Sequence, residues 1–561
     1  MRGKFFNSVI AAFLYFLFLQ SLCFAGGGYL GGTFFGAASK DSVEFIQVGP
    51  QGDIYVSGTI GELSLSNVNG FKTNYNSIAN KLAYIARFDK DLKTLKAFTY
   101  IGDIYSYPLD FKVADNGDVY ILSFSFDLNL SSNVPGYNTQ YQNSYNMLIR
   151  FDSNLQSIKG YTYLYDIGDI SKFDIASNGD IVIAGKKLSP SGNNTYNDDA
   201  LIGILSGDLT QLKYSYSYGG ANNDSIDSIY IDANDNIFVS GLTFSSDFPV
   251  VQNECLTNQP CSGTSTNKIF MSKFNMNLNL TKTVLVAIGY TSGAMTGDTN
   301  NIYLAIRSDS NLLILNNTDG TYHPVILKLD KNLDAIKKTL PINYSKNDFV
   351  NAMSCVNGKL FIGGSVYNDG NINFPFSPGA WKPTSCAYNV GMVLVLENDL
   401  ETFDYATIIG GSFGADTINA IYYQDNILYT AGYAQSYDFP VGDSGYQTAC
   451  IQGTTGNYYD GFITKFAPFS VPSDIVSLSV NITGYNVKLS WNKLNNYTGY
   501  ILYYVAYPYT GNEQIYSIDL GDTNSISFDL WKGAAFYVAI GPYDTNNNKG
   551  NLSNIELIKI N

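Results

Sequence analysis

The chain holds a single histidine, His323, beside Pro324. A Ser-His-Asp or Cys-His mechanism would have to use it, because each needs an imidazole to carry the nucleophile's proton. No nucleophile motif such as GxSxG is read around any serine, and His323 is expected as a loop or strand-end residue. A single histidine also rules out a His-rich metal centre. With 48 Asp and Glu residues, an acid/base carboxylate pair of the glycosidase kind stays open. Most aspartates, however, fall in repeated turns where bonding to nearby backbone accounts for them. Asp232-Ala233-Asn234-Asp235-Asn236 has the oxygen density of a calcium loop. Its counterparts Ala114-Asp115-Asn116-Gly117-Asp118 and Ser177-Asn178-Gly179-Asp180 read more simply as hairpin turns, with Asn-Gly supplying positive φ. No catalytic, metal-binding or cofactor-binding residue is assigned.

The N-terminus has the form of a secretory leader: basic Arg2 and Lys4, an apolar run from Val9 to Leu19, and Cys23-Phe24-Ala25 before Gly26. Cleavage is expected after Ala25. Bulky Leu22 argues against lipidation at Cys23. No later run reaches the roughly 20 apolar residues that span a bilayer, so a secreted or cell-surface protein is expected. Removal of the leader leaves Cys255, Cys261, Cys355, Cys386 and Cys450 in an oxidising compartment. Cys255 and Cys261 bracket a short loop and are candidates for a local disulfide. The pairing of the other three is open.

Among 561 residues there are 45 Tyr and 34 Phe, and only 14% are charged, a composition that favours pleated, half-buried strands. A net charge of -15 opposes contact with phosphate backbones or anionic lipid. Nucleic acid is therefore excluded as an expected partner.

The elements that must position any site repeat. A turn followed by a β-branched and aromatic strand occurs seven times: at Asp53-Ile54-Tyr55-Val56, Asp118-Val119-Tyr120-Ile121, Asp180-Ile181-Val182-Ile183, Asn236-Ile237-Phe238-Val239, Asn301-Ile302-Tyr303-Leu304, Lys359-Leu360-Phe361-Ile362 and Asn426-Ile427-Leu428-Tyr429. A second strand follows each, and in six copies it leads to an Asp/Asn-Leu turn, as at Asp91-Leu92 and Asp399-Leu400. The expected role of the Asp or Asn there is to take left-handed geometry and bond local backbone. A further strand and a Gly-rich corner complete four short strands per unit, the pattern of a radial propeller. The seventh unit lacks its own fourth strand after Phe466. Tyr29-Leu30-Gly31-Gly32 matches the end of that strand, so the N-terminus is expected to close the ring.

Tyr29-Leu30-Gly31-Gly32, the stretch from Asp227 to Gly241, Asp247-Phe248-Pro249 and Asp438-Phe439-Pro440, with the degenerate Asn373-Phe374-Pro375, resemble the bacterial seven-bladed propeller repeat family marked by YLGG and DFP. The resemblance covers roughly 26–470. It implies an exported, often surface-associated protein and supplies no catalytic residues. From Val471-Pro472-Ser473 onward the repeat stops, and alternating strands around Trp491, Tyr500 to Tyr504 and Phe536 to Ile540 resemble a fibronectin type III domain. Phe536 stands where that family has its corner tyrosine.

The expected architecture is therefore all-β: a leader over 1–25, a seven-bladed β-propeller over 26–470 and a fibronectin type III-like sandwich over 471–561. In a four-stranded blade the short first-to-second and third-to-fourth turns share one face, and the long second-to-third and blade-to-blade loops share the other. The long-loop face carries Asp247, Phe248, Pro249, Asn373, Phe374, Pro375, Asp438, Phe439 and Pro440 and is the expected contact surface for protein or glycan. The expected role is non-enzymatic binding. A carbohydrate-active hydrolase or lyase and a purely structural envelope component are the alternatives, and the oligomeric state is left open.

Overall fold

Strands apolar on both faces must be covered on both sides, so their sheets have to stack. The second strand of the first unit, Ile54–Ile60, is buried at every position. The computed structural model describes residues 29–37, 39–61, 63, 68–74, 81–102, 106–125, 134–140, 146–192, 195–250, 256, 267–289, 291–308, 323–345, 347–368, 374–376, 388–442, 444–451, 459–468, 476–494, 497–507, 515–543 and 552–560. Every regular element among them is a strand. Seven four-stranded antiparallel sheets follow one another: sheet I over 42–101, II over 107–163, III over 169–218, IV over 224–288, V over 291–341, VI over 349–409 and VII over 416–466.

The arrangement is propeller-like. The first strand of each sheet packs on the first strand of the next, from I on II through VI on VII, and VII packs on I. An apolar layer drawn from both partners fills each interval. Tyr303 and Ile326 of V meet Val390 and Leu396 of VI, and Tyr429 and Ile463 of VII meet Val56 and Phe88 of I.

The third-to-fourth turns correct one expectation. The left-handed residue is the leucine, with φ of 61° at Leu92, 56° at Leu155, 62° at Leu209, 55° at Leu278, 57° at Leu333 and 60° at Leu400. A polar residue three positions before the leucine caps most of these turns, while Asp208 and Asp399 bond local backbone as expected, Asp399 accepting the Glu401 and Thr402 N–H groups at 2.8 and 2.9 Å. Asp152 accepts the Gln156 and Ser157 N–H groups at 2.8 and 2.9 Å, and Asn275 accepts those of Asn277 and Asn279 at 2.9 and 3.1 Å. Left-handed geometry costs a leucine about 1–2 kcal/mol, whereas burying its side chain contributes about 1.5–3 kcal/mol. All six side chains are buried, so packing decides the conformation.

A cation near the end of the third strand rivets one sheet to the next. Arg87 donates to the Ser153 carbonyl at 3.0 Å, Arg150 to Gly207 at 3.1 Å, Lys273 to Lys331 at 3.1 Å and Lys465 to Lys90 at 3.1 Å, and Lys328 reaches the Asn398 carbonyl. Each acceptor is the second residue of the neighbour's third-to-fourth turn. Arg87 and Arg150 also lie over the rings of Tyr55 and Tyr120, at 5.5 and 5.7 Å. Behind the rivets Asp53 holds Lys96 at 2.6 Å, Asp118 holds Lys159, and Asp180 holds Lys213 at 2.6 Å. Sheet VI keeps the pair with its signs exchanged: Lys359 occupies the Asp53 position and Asp404 the Lys96 position, 2.7 Å apart.

Tyr29–Phe35 pairs antiparallel with Asp460–Phe466 and completes sheet VII, as expected. Its register differs from the expectation. Tyr29-Leu30-Gly31-Gly32 opens the strand, and Phe34-Phe35-Gly36 occupies the corner held by Ile408-Ile409-Gly410 in sheet VI. The phenylalanines explain the shift: Phe34 enters the layer between VI and VII, and Phe35 the layer between VII and I, 5.4 Å from Tyr84 and 5.1 Å from Phe88.

Beyond the ring, a three-stranded sheet (Leu478–Thr483, Asn486–Trp491, Ser525–Asp529) and a four-stranded one (Tyr516–Gly521, Gly499–Ala506, Ala535–Tyr543, Glu556–Lys559) share one apolar cluster. Trp491 is buried in it, 5.8 Å from Tyr500. The Tyr500 hydroxyl oxygen accepts the Leu494 N–H at 2.7 Å, a tie that the sequence reading did not single out.

Two stability measurements test this account. Phe35→Ala should cost about 3–5 kcal/mol in denaturant unfolding, the usual loss for a truncated core phenylalanine, and removal of Tyr29 to Gly32 should cost less. Asp404→Lys alone should lower the thermal midpoint by setting like charges together, and Lys359→Asp in the same chain should recover part of the loss, because Lys359 also pairs with Glu397 across the ladder. Recovery of about 0.5–1 kcal/mol is the scale for a partly exposed pair.

Candidate functional site

The expected contact residues divide by depth. Phe248 packs on Tyr218 and Phe270 at 5.6 and 4.6 Å, Phe439 on Phe34 and Phe462 at 6.1 and 4.3 Å, and Phe374 on Tyr344 at 4.9 Å. All three are buried and belong to the core. The aspartates clip the glycine corners: Asp247 accepts the Ala221 N–H and Asp438 the Ser412 N–H, both at 2.8 Å. A methyl group at Gly220 or Gly411 would collide with these carboxylates. Pro249, Pro375 and Pro440 follow the buried rings in the same loops. Asn373, Cys255, Cys261 and Cys386 lie outside the described residues, and Cys355 and Cys450 are free thiols.

His323 begins the third strand of sheet V, opposite Ser308, and is buried. The spelling GxSxG does occur, at Gly410-Gly411-Ser412-Phe413-Gly414, and the sequence reading passed over it. It forms the corner between sheets VI and VII rather than a strand-to-helix elbow. At the Asp232 turn the carboxylate accepts the Asn234 and Asn236 N–H groups at 2.9 and 3.0 Å and Lys331 at 2.9 Å. Its oxygens are taken up by protein donors, as a hairpin turn requires. Among the described residues no group of three His, Cys, Asp or Glu side chains is placed to hold a metal ion.

The corners bury a second set of carboxylates, Asp41, Asp224, Asp348 and Asp416, at the start of sheets I, IV, VI and VII. Asp416 accepts the N–H groups of Gly411, Gln435 and Ser436 at 2.8, 3.0 and 3.1 Å and the Ser436 hydroxyl at 2.7 Å. Asp41 accepts the Ala37 and Gly61 N–H groups at 2.5 and 2.7 Å. Burial pushes Asp41 up to about 7 and Asp416 to about 6, and Asp460, close to Asp41, is pushed to about 6 in the same way.

Among the described residues, two openings that lead off this framework stand out. A cleft of about 340 Å³ separates sheets III and IV on the long-loop side, between the first strands of the two sheets. Lys186 lies in it, 2.9 Å from Asp198 and 4.0 Å from Asp169. Asp227, on the opposite wall, is pushed up to about 6 by burial, against the Ser225 hydroxyl at 3.2 Å and the charges of Lys172 and Lys186. Phe244 lies at the lining with nearly half its surface exposed. The equivalent corner of sheet VII also presents rings: Phe413 and Tyr437 are about half exposed and nearly parallel, with centroids 6.4 Å apart and planes at 8°. Exposed Tyr388 joins them through its N–H, which donates to the Gly414 carbonyl at 2.8 Å. The larger opening, about 650 Å³, lies on the short-turn side, where the first strands of I, II, III and VII end at Gln47, Lys112, Asp174 and Tyr422. Burial works against the Lys112 charge, but Asp174 at 3.0 Å and Asp110 outweigh it and raise the amine.

No family model and no curated protein sequence matches the chain. Solved structures do. The extracellular domain of a protein named as a hybrid two component system from B. thetaiotaomicron aligns over 95% of this chain at 9% identity and a TM-score of 0.39, and the chain spans 60% of that domain's length. An α-L-arabinanase from Penicillium chrysogenum aligns over 79% of this chain and 99% of its own at 9% identity and a TM-score of 0.34. An ulvan lyase aligns over 90% of this chain and 97% of its own at 11% identity and a TM-score of 0.27. At these scores the likeness reaches neither activity nor ligand.

The buried corner carboxylates make a pH prediction. An aspartate unfolds to its ordinary value near 3.8, so between about pH 4 and 7 the unfolded chain releases protons that folded Asp41, Asp416 and Asp460 retain, and stability falls as pH rises. Asp118, Asp232 and Asp330 are held low by hydrogen bonds that outweigh burial, and their contribution is lost only below about pH 4. The thermal midpoint should peak near pH 4–5 and decline toward pH 8, and Asp416→Asn should flatten that decline.

Proposed function

We propose that the chain is an exported, non-enzymatic binding protein. Residues 26–470 form a seven-bladed β-propeller whose long-loop face contacts a glycan or protein ligand, and 471–561 form a fibronectin type III-like domain that acts as spacer or second contact. A leader over 1–25 directs export to the exterior or the cell surface. Seven sheets packed in a circle support the propeller, and three strands facing four around Trp491 support the second domain.

One observation carries the binding reading: Phe244, Phe413 and Tyr437 stand in solvent at corners whose cores are already filled by Phe248 and Phe439. Packing does not require them there, and exposed rings flanked by polar groups offer stacking surfaces for a sugar. The carboxylates of the same corners are engaged with backbone N–H groups, which accounts for them without catalysis. Raised Asp227, across the cleft from ion-paired Asp198, is the observation on the side of the second reading, a carbohydrate-active hydrolase or lyase using that pair.

A glycan array and a polysaccharide-degradation assay on the mature protein separate the two. Phe413→Ala with Tyr437→Ala should weaken ligand binding at least tenfold at an unchanged thermal midpoint. Release of sugar fragments that disappears with Asp227→Asn would establish the enzyme instead. Loss of binding through changes around Lys112 but not around Phe413 would move the contact surface to the short-turn face.

A further inference from the structure

We infer that the outermost strand of sheet III, Leu212–Tyr218, pairs antiparallel with the same strand of a second copy of this chain. Comparison of the seven sheets supplies the argument. A fourth strand has one neighbour within its sheet, so its other edge carries open N–H and C=O groups. In sheets I, II and VII a segment of the second-to-third connection runs along that edge. Phe98 and Tyr100 donate their N–H groups to the Asn69 and Lys72 carbonyls at 2.9 and 2.8 Å, Tyr161 and Tyr163 to Pro135 and Asn138 at 3.1 and 2.8 Å, and Gly32 and Phe34 to Val441 and Gln447 at 2.8 and 2.9 Å. The threonine between each pair, Thr99, Thr162 or Thr33, takes an N–H back from the segment, at 3.1, 3.1 and 2.8 Å. In sheet IV the Leu256 N–H donates to the Leu285 carbonyl at 2.9 Å. The fourth strand of sheet VI is buried through most of its length, and that of sheet V carries Lys337, Lys338 and Pro341, residue types that guard an open edge.

Sheet III is built differently. Its second-to-third connection is spent on a hairpin in the plane of the sheet, paired from Ile181 with Leu205 out to Gly192 with Thr195. Lys213, 2.6 Å from Asp180, matches Lys96 at 2.6 Å from Asp53, so Ser215, Tyr216 and Ser217 match Phe98, Thr99 and Tyr100. Every residue from Lys213 to Ser217 is exposed, and among the described residues no segment pairs with the outer edge they form. The Tyr216 ring packs on Phe274 of sheet IV, centroids 6.0 Å apart, but the backbone beside it stays bare.

A second copy is the occupant these residues favour. Antiparallel pairing makes a strand edge its own complement under a two-fold axis. With Ser215 opposite Ser215, Lys213 falls opposite Ser217 and Tyr214 opposite Tyr216, so the strand's one cation avoids its copy and exposed tyrosines form cross-strand pairs. The net charge of -15 makes copies repel, whereas the stretch Leu212–Tyr218 holds no carboxylate and is the place where two copies approach without that penalty.

Sedimentation velocity of the mature protein over a concentration series tests the pairing. An edge of 7 residues makes a small contact, so a reversible dimer is expected with a dissociation constant on the order of 10–100 μM. Ser215→Pro removes only the outward N–H that matches Phe98, and it should weaken the dimer about tenfold at an unchanged thermal midpoint, through two symmetry-related hydrogen bonds. Ser215→Lys and Ser215→Glu chains should each be monomeric alone and dimerise when mixed in equal amounts, a recovery that a merely structural role would not produce. Hydrogen exchange over 212–218 should slow as concentration rises. A monomer throughout the series, a dimer indifferent to Ser215→Pro, or a mixture of the two charged chains that stays monomeric would overturn the inference.

Discussion

The ring depends on one strand from the far end of the chain. Seven intervals must each be filled from both sides, and the intervals flanking sheet VII are filled partly by Phe34 and Phe35, adjacent residues pointing to opposite faces of Tyr29–Phe35. Alternation along a strand is what lets a single element serve two layers. Without it, sheet VII would present an unpaired edge at Asp460–Phe466 and half-filled gaps on both sides.

Around that seam the sheets are tied by devices that repeat in kind but not in residue. Basic side chains reach a neighbour's turn carbonyl at five of the seven intervals among the described residues, supplied by arginine at two and lysine at three. The ion pair behind them survives sign reversal at Lys359 and Asp404 because the interaction depends on opposite charge and proximity, not on which strand carries the anion. The corners follow the same logic. Glycine is required where an aspartate from the next loop approaches the backbone, and the aromatic after that aspartate is consumed by the core. What the corners leave for a ligand is therefore their outer rings, Phe244, Phe413 and Tyr437.

The candidate site was legible only in outline. Position on the long-loop face followed from blade geometry, but the residues chosen there, Phe248, Phe374 and Phe439, prove to be core. Sequence spacing does not separate an aromatic that turns inward from one two to four residues earlier that stays out, since Phe244 and Phe248 share a loop. Comparing the repeats position by position could have flagged Thr243 and Asn223 as departures from Ala434 and Ala415. Nothing in the letters alone says that Thr243 brings its hydroxyl to Asp224 where Asp416 takes backbone N–H groups.

The sequence by itself determined the all-β class, the recurrence of seven strand-turn units, the hairpin glycines Gly117 and Gly179, and the role of the N-terminus in the last sheet, because period, turn chemistry and a missing strand are local or countable properties. Only the tertiary structure decided that Phe34-Phe35-Gly36 sets the closing register, that the turn leucines rather than their polar neighbours go left-handed, and that a Thr243 hydroxyl serves Asp224 where backbone N–H groups serve Asp416. The first two outcomes are competitions between a local preference and the filling of space by residues distant in sequence, and such competitions are settled only when the sheets meet.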